Sequence, residues 1–316
     1  MILQTNRLIL RPWEESDAES LYEYAKDDRI GPIAGWPSHE SMSQSRDIIK
    51  TALSAEETYA VCLKSDNRAI GSIGLLIGNS SNLDLPEDEG EIGYWIGVPF
   101  WGLGLIPEAT REIIRHGFDD LHLKRLWCGY FDGNIKSKRA QEKCGFRYVR
   151  TDKDIYWPLM DDIRTEHITC LDRQFTRRLL PDEFKDATEL MWDVFLQFEA
   201  PEYSEEGIRT FRASLDDKER TAAMIWYGAF ENGHLVGVLC MRQPQHIGDF
   251  FVREEYQGRG HGRRLFDQIK EDYTEQHFTV NSSPYAVPIY QKLGFRATGP
   301  EQVVDGLRFT PMEYKE

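Results

Sequence analysis

Apolar and polar residues alternate with a period of two through Arg7-Leu8-Ile9-Leu10-Arg11, and the period lengthens to that of a helix over 14–26. A strand shows alternate side chains to one face and a helix shows every third or fourth, so the change of spacing marks a change of element. The same reading predicts a second helix over 43–53 and strands over 58–63 and 69–77. A polar, acidic surface excursion over 78–90 follows, then a strand over 91–98. Pro107 suits the first turn of a helix that runs through Phe118, because its missing N–H would have no partner there. A strand over 123–130, a helix stopped by Gly145, and two strands at 147–150 and 166–171 complete the first half.

The second half repeats that order. Helices are predicted over 180–195 and 203–215, and strands over 222–230 and 235–241 form a hairpin around Asn232-Gly233, a pair that tolerates the positive φ of a tight turn. A strand over 246–252, a helix over 263–273, a strand over 277–280, a helix over 285–293 and a final hairpin from Phe295 follow. A chain of 316 residues exceeds the size at which single cores stop growing. We therefore expect two domains, 1–176 and 177–316, each α/β.

Composition narrows the setting. With 41% hydrophobic and 12% aromatic residues the chain belongs with ordinary folded proteins. No apolar run approaches the roughly 20 residues of a membrane span, and the first residues show no export leader, so a cytoplasmic location and no membrane partner are expected. The net charge of −15 disfavours nucleic acid and weakly favours a cationic or neutral acceptor. Cys62, Cys128, Cys144, Cys170 and Cys240 are scattered, which argues for buried thiols rather than a disulfide framework or a metal site.

The candidate chemistry lies where strands turn into helices. Val252 is followed by Gln257-Gly258-Arg259-Gly260-His261-Gly262-Arg263, a turn whose main-chain N–H groups converge at a helix N-terminus, the requirement for holding a phosphate or pyrophosphate. Downstream stand Asn281 to Tyr285 and Tyr290-Gln291-Lys292-Leu293-Gly294-Phe295. In the first half, Glu91-Ile92-Gly93-Tyr94-Trp95 precedes Trp101-Gly102-Leu103-Gly104, then Asn134-Ile135-Lys136-Ser137, then Lys143-Cys144-Gly145-Phe146.

Together these segments resemble the GNAT N-acetyltransferase superfamily, and the first half resembles its ribosomal-protein and N-terminal acetyltransferase branch. The loop pattern, Gln or Arg, two residues, Gly, one residue, Gly or Ala, is met by Gln257, Gly260 and Gly262. In the first half Trp101 and Ile106 depart from it, which makes cofactor binding there the less secure expectation.

The resemblance implies two tandem folds, each a mixed central sheet flanked by helices with a splay between the fourth and fifth strands. It implies acetyl-coenzyme A as acyl donor, no metal, and direct attack by a primary amine within a ternary complex. Phe251, Val252, Gln257, Gly258, Arg259, Gly260, His261, Gly262, Arg263, Asn281 and Tyr285 are the implied cofactor contacts in the second half, as are Gly102, Gly104 and Asn134 in the first. Within the loop His261 is expected to be exposed.

Tyr290 matches the tyrosine that the family uses as acid, Ser137 is its counterpart in the first half, and Glu91 is a water-positioning carboxylate. For the base Asp249, His246 and Glu254 stand near the fourth strand. The acceptor is a small-molecule amine or a protein N-terminal amine, and a homo-oligomer is allowed. Two other readings accompany this one: a degenerate first domain serving as an acceptor-binding or structural module, and a non-catalytic acyl-coenzyme A sensor or partner-binding protein.

Overall fold

The structure is a computed structural model describing residues 1–242 and 245–315. It divides into two compact units, Met1–Arg173 and Gln174–Glu316. The division falls a few residues before the expected one, because Gln174–Arg178 pairs as a strand inside the second sheet.

The first unit contains strands β1 (Leu3–Gln4), β2 (Leu8–Arg11), β3 (Thr58–Leu63), β4 (Ala69–Ile77), β5 (Glu89–Ile96), β6 (Arg125–Phe131), β7 (Arg147–Trp157) and β8 (Asp162–Asp172). Its helices are α1 (Ala18–Ala25), α2 (Gly31–Ala34), α3 (Met42–Thr51), α4 (Leu105–Arg115) and α5 (Ile135–Cys144). The sheet order is β1-β2-β3-β4-β5-β6-β8-β7, antiparallel except at β5–β6. Leu8 and Leu10 of β2 are fully buried, as the period of two requires. On α4, Ile106, Ala109, Ile113 and Ile114 form the buried stripe.

The β5–β6 pairing is short. It covers Glu89–Arg125, Gly90–Leu126 and Glu91–Trp127 and then stops. Beyond it Ile92–Ile96 stays paired only with β4 and Cys128–Phe131 only with β8. Two main-chain edges therefore diverge around a gap in the sheet, which is the expected splay. The acidic excursion after β4 is not simply on the surface: Leu85 is buried and Ser81 donates to Glu91 at 2.7 Å, which folds the segment over the end of β5.

The second unit contains β9 (Gln174–Arg178), β10 (Ile225–Glu231), β11 (His234–Arg242), β12 (His246–Val252), β13 (His277–Ser282), β14 (Arg296–Ala297), β15 (Gln302–Val304) and β16 (Leu307–Lys315). Its helices are α6 (Phe184–Phe198), α7 (Glu205–Asp216), α8 (Lys218–Ala223), α9 (His261–Asp272) and α10 (Val287–Leu293). The order β14-β16-β13-β12-β11-β10-β9 matches β7-β8-β6-β5-β4-β3-β2 strand for strand. The parallel pair β12–β13 is again short, at His246–Thr279 and Ile247–Val280. One predicted strand is shorter than expected: Ala222 and Ala223 belong to α8, whose N-terminus is capped by Asp217, and β10 begins at Ile225. Among the described residues no helix is long and apolar enough to cross a membrane.

Buried Glu108 on α4 ties this helix to the chain entering β2. It accepts from Thr5 Oγ1 at 2.5 Å, from the Arg7 amide at 2.7 Å and from Arg7 Nε at 2.6 Å, while Arg7 Nη1 donates to the Leu103 carbonyl at 3.0 Å. Glu108→Ala breaks three hydrogen bonds to one buried carboxylate and is expected to destabilise by about 2–3 kcal/mol in urea unfolding. An unchanged midpoint would contradict this reading of the brace.

Candidate functional site

Each splay leads into a glycine turn. After β5 the chain passes Trp101 to Gly104 and enters α4, with φ 76° at Gly102 and 75° at Gly104. After β12 it enters α9 through Gly258 and Gly260, with φ 73° and 89°. These left-handed torsions admit glycine at little cost. The first amides of α4 and α9 that follow have no partner within the helix. Both turns thus meet the main-chain requirement for an anion.

The loops differ below the amides. Ile106 is 8% exposed and forms part of a cavity wall together with Gly102 and Gly104 of the turn. Gly262, its counterpart, leaves room for the Phe250 ring, which would stand 3.4 Å from an added Cβ. His261, expected to be exposed, is 1% exposed. As the first residue of α9 it points inward, where Leu105 sits in the first unit, and its Nε2 lies 2.8 Å from Glu231 Oε2. It is a buried partner of Glu231 rather than a surface contact for phosphate.

A cavity of about 580 Å³ occupies the splay of the first unit. Trp101, Gly102 and 104–107 of the turn, the free edge of β5, the first turns of α5, Glu91 and Glu166 all line it. Glu91 is 9% exposed, and burial pushes its carboxyl up although it accepts from Ser81. Glu166, on β8, is 8% exposed and pushed up to about 7, first by burial and then by the charges of Glu91 and Asp152. Among the described residues its carboxylate has no hydrogen-bond or ion-pair partner. Gly129 makes this arrangement possible, since a Cβ there would lie 2.2 Å from Glu166 Oε1.

Opposite stands a fixed hydroxyl pair. Ser137 Oγ is 3.0 Å from the Tyr94 hydroxyl and accepts from Gln141 Nε2 at 3.2 Å. Gln141 in turn accepts from Thr169 at 2.8 Å and donates to the Gly129 carbonyl at 3.0 Å. Asn134, an expected cofactor contact, caps α5 by accepting from the Ser137 amide at 3.1 Å, and it also lines the cavity. Burial raises both the Tyr94 phenol and the Cys128 thiol, so neither ionises readily. The Cys128 thiol donates to the Ile92 carbonyl at 3.0 Å, a further interaction that favours its protonated form.

The second unit gathers its candidates more tightly. Tyr290 is 5% exposed, edge-on to Phe250 and Phe295, and burial pushes its phenol far up. Asp249, expected as a base, is held by Arg220 at 2.5 Å, which occupies the carboxylate in an ion pair. Arg220→Met leaves that buried charge alone and is expected to cost about 3–5 kcal/mol by thermal unfolding; a variant as stable as the parent would show the pair to be dispensable.

His246 lies 2.9 Å from Thr279 and burial pushes its imidazole down, while Glu254 faces Gln197 on the surface. Glu199, just past α6, was missed by the sequence reading. Burial pushes it up to about 7, and it lies beside the Ser283 hydroxyl, which closes no good hydrogen bond of its own. No motif marks this residue; a glutamate ending a helix reads as surface.

Around the second turn, Gln257 donates to the Val252 carbonyl at 3.0 Å and accepts from Tyr285 at 3.4 Å, and Tyr285 stacks on Phe198. Arg259 pairs with Glu231 at 3.3 Å, and Arg263 donates to the Lys292 carbonyl at 2.9 Å. Phe251 is buried against Phe211, whereas Asn281 is exposed on β13.

Residues 7–147 and 199–316 each match a sequence family described as "Acetyltransferase (GNAT) domain". An "Uncharacterized N-acetyltransferase p20" of Bacillus licheniformis is 32% identical over 39% of this chain and 70% of its own length. "Uncharacterized N-acetyltransferase YoaA" of Bacillus subtilis is 30% identical over 46% of this chain and 82% of its own. A GNAT-family acetyltransferase crystal structure from Bacillus anthracis overlaps with a TM-score of 0.49 at 22% identity, covering 54% of this chain and 98% of that one.

Proposed function

The chain belongs to the GNAT acetyltransferase family, whose members use acetyl-coenzyme A, and from that premise we propose that its N-terminal cleft transfers acetyl to a primary amine with Glu166 as base. The observation that carries this reading is one cavity joining a glycine turn, a free sheet edge, a fixed hydroxyl pair and an unpaired buried carboxylate. The residues fit the donor: the first amides of α4 suit a diphosphate, and the unpaired edge of β5 offers main-chain groups to an extended amide chain.

Acetyl-coenzyme A supplies the acetyl group as a thioester. An alkyl amine is protonated at neutral pH, so a group near pH 7 must take its proton. Glu166 has that poise, and its carboxylate takes one proton from the ammonium, freeing the lone pair that attacks the carbonyl carbon. The Ser137 hydroxyl, aligned by Tyr94 and Gln141, delivers a proton to the sulfur as the carbon–sulfur bond breaks, and the nitrogen's second proton, released as the amide forms, replaces it through the Ser137–Tyr94 pair. Burial first, and the charge of Glu91 second, keep Glu166 raised, and Glu91 is placed to position water below the amine.

The acceptor is a small-molecule amine or a protein N-terminal amine. Amine acetylation, followed by release of free thiol, tests the assignment. Ser137→Ala is expected to lower kcat about tenfold to a hundredfold with little change in KM for the donor; an unaltered kcat removes Ser137 from the role.

A second, smaller reading concerns the C-terminal unit. Tyr290 as acid and Glu199 as base would support transfer there, favoured by the raised carboxyl of Glu199 beside Ser283. Tyr290→Phe made in a Glu166→Gln chain is then expected to abolish the turnover that survives. If that turnover persists, the C-terminal unit does not use Tyr290.

A further inference from the structure

The cavity continues past Glu166 along aromatic and aliphatic side chains that the transfer chemistry does not use. Phe131 on β6 is the direct cross-strand partner of Glu166 on β8, which sets their Cβ atoms about 5 Å apart on one face of the sheet. The Trp157 ring meets Phe131 edge-on, with centroids 4.9 Å apart. Ile30, which precedes α2, and Ile33 and Ala34 within it line the same cavity.

Two hydrogen bonds latch α2 onto these rings. Trp157 Nε1 donates to the Gly35 carbonyl at 2.7 Å, and Arg164 Nη1 donates to the Pro32 carbonyl at 2.7 Å. So close an approach requires glycine at 35: with φ at 93°, a Cβ there would stand 2.8 Å from Trp157 Nε1 and 2.9 Å from Phe131 Cε2. A four-residue helix does not hold its shape alone, so the two latches fix this wall.

The charges around it are satisfied locally. Arg164 lies 4.6 Å from the Phe131 centroid and is held by Asp162 through Nε at 2.7 Å and Nη2 at 2.8 Å, while Arg29 is held by Asp27 at 2.6 Å. Among the described residues the acids lining the cavity are Glu91 and Glu166, both engaged at the reacting amine in the proposed chemistry. A second ammonium on the acceptor would lose water against apolar rings and gain no carboxylate. Nor would Phe131 welcome it, since Arg164 already lies over that ring. The net charge of −15 favours a cationic acceptor for the chain as a whole, and this part of the cleft does not share that preference.

We propose that the acceptor of the N-terminal cleft is a monoamine of the aralkylamine class, its flat apolar group seated on Phe131 and Trp157 beneath α2 and its nitrogen at Glu166. This inference rests on the proposed function of the same cleft and concerns which amine it takes rather than how the proton moves. Trp157 and Ile33 are then specificity-determining residues.

The test is the rate of free coenzyme A release by the full chain with acetyl-coenzyme A and, in turn, phenethylamine, butylamine and spermidine. kcat/KM is expected to be about tenfold or more higher for phenethylamine than for either of the others. Trp157→Leu removes one ring and should lower the phenethylamine-to-butylamine ratio about tenfold, chiefly through KM for the amine, with Trp157→Phe restoring most of it. Ile33 is 40% exposed, so Ile33→Asp folds; it should lower the rate with phenethylamine and raise that with spermidine.

Spermidine used as well as phenethylamine, or ratios unmoved by both Trp157→Leu and Ile33→Asp, overturns the proposal. A chain that acetylates none of the three is titrated calorimetrically with the same amines in the presence of coenzyme A, where phenethylamine that binds no better than butylamine overturns it equally. If the preference is absent while Glu166→Gln still loses turnover, the acceptor class is wrong and the catalytic reading stands. A preference that persists in a fully active Glu166→Gln chain gives the reverse result.

Discussion

Glu166→Gln is expected to lower kcat/KM for amine acetylation by about 100-fold to 10,000-fold, the range set by removing a positioned general base. The substitution keeps shape and burial and removes only the proton acceptor. The same variant loses the pH dependence. With a carboxyl pushed up to about 7, the native rate should rise through neutral pH as Glu166 loses its proton and then level off, whereas the glutamine form should show no such step.

Stability moves the other way. A buried carboxyl whose folded pKa lies above its unfolded value binds its proton more tightly when folded, so stability falls as pH rises from the ordinary carboxyl range to about 7, and the full penalty is present above that. Glutamine has no charge to bury, and Glu166→Gln is expected to be more stable at pH 8 by roughly 1–3 kcal/mol. Loss of rate with gain of stability separates a catalytic carboxylate from a structural one. A variant that retains both the rate and the pH step would leave Glu91 or solvent as the base.

Gly104→Val should act through the turn. The added Cβ would meet no atom nearer than Arg7 Nη2 at 3.7 Å, so space is not the difficulty. The difficulty is φ 75°, where a β-branched residue is strained by about 1–3 kcal/mol. Relief of that strain turns the amides of α4 away from the cleft, and a displacement near 1 Å at a positioning element costs about 100-fold in kcat/KM. Gly260→Val, at φ 89°, imposes the same strain on the second turn. Comparing the two by rate assigns the chemistry to a unit: the larger loss is expected from Gly104→Val, and the reverse order would move the main site to the C-terminal unit.

Much of the fold was legible because its determinants are local. The period of two in β2, the Asn-Gly turn between β10 and β11, Pro107 in the first turn of α4, and Gly145 and Gly294 ending α5 and α10 at φ 94° and 104° are each set by a few neighbouring residues. The Gly-x-Gly spacing likewise located both helix entries. Asp217 capping α8 and the return of Ser81 onto Glu91 were missed, since each depends on how a polar segment meets a neighbour.

The site divided along the same line. Ser137, Asn134 and Glu91 were singled out through their motifs and line the cleft. Glu166 and Glu199 were not, because what raises each carboxyl is burial, which depends on residues remote in sequence. The weight given to the two halves also changed. Ile106 reads in sequence as an obstruction, but its side chain belongs to the cavity wall, while the better-matched second turn leads to a tightly packed interior around Phe250 and Tyr290.

The most direct measurement is a crystal structure of the full chain grown with coenzyme A. Diphosphate is expected against the amides at 103–106, with the sulfur within hydrogen-bonding reach of the Ser137 hydroxyl and on the side facing Glu166. A diphosphate seated only at 258–262, with the N-terminal cleft holding no ligand, would contradict it.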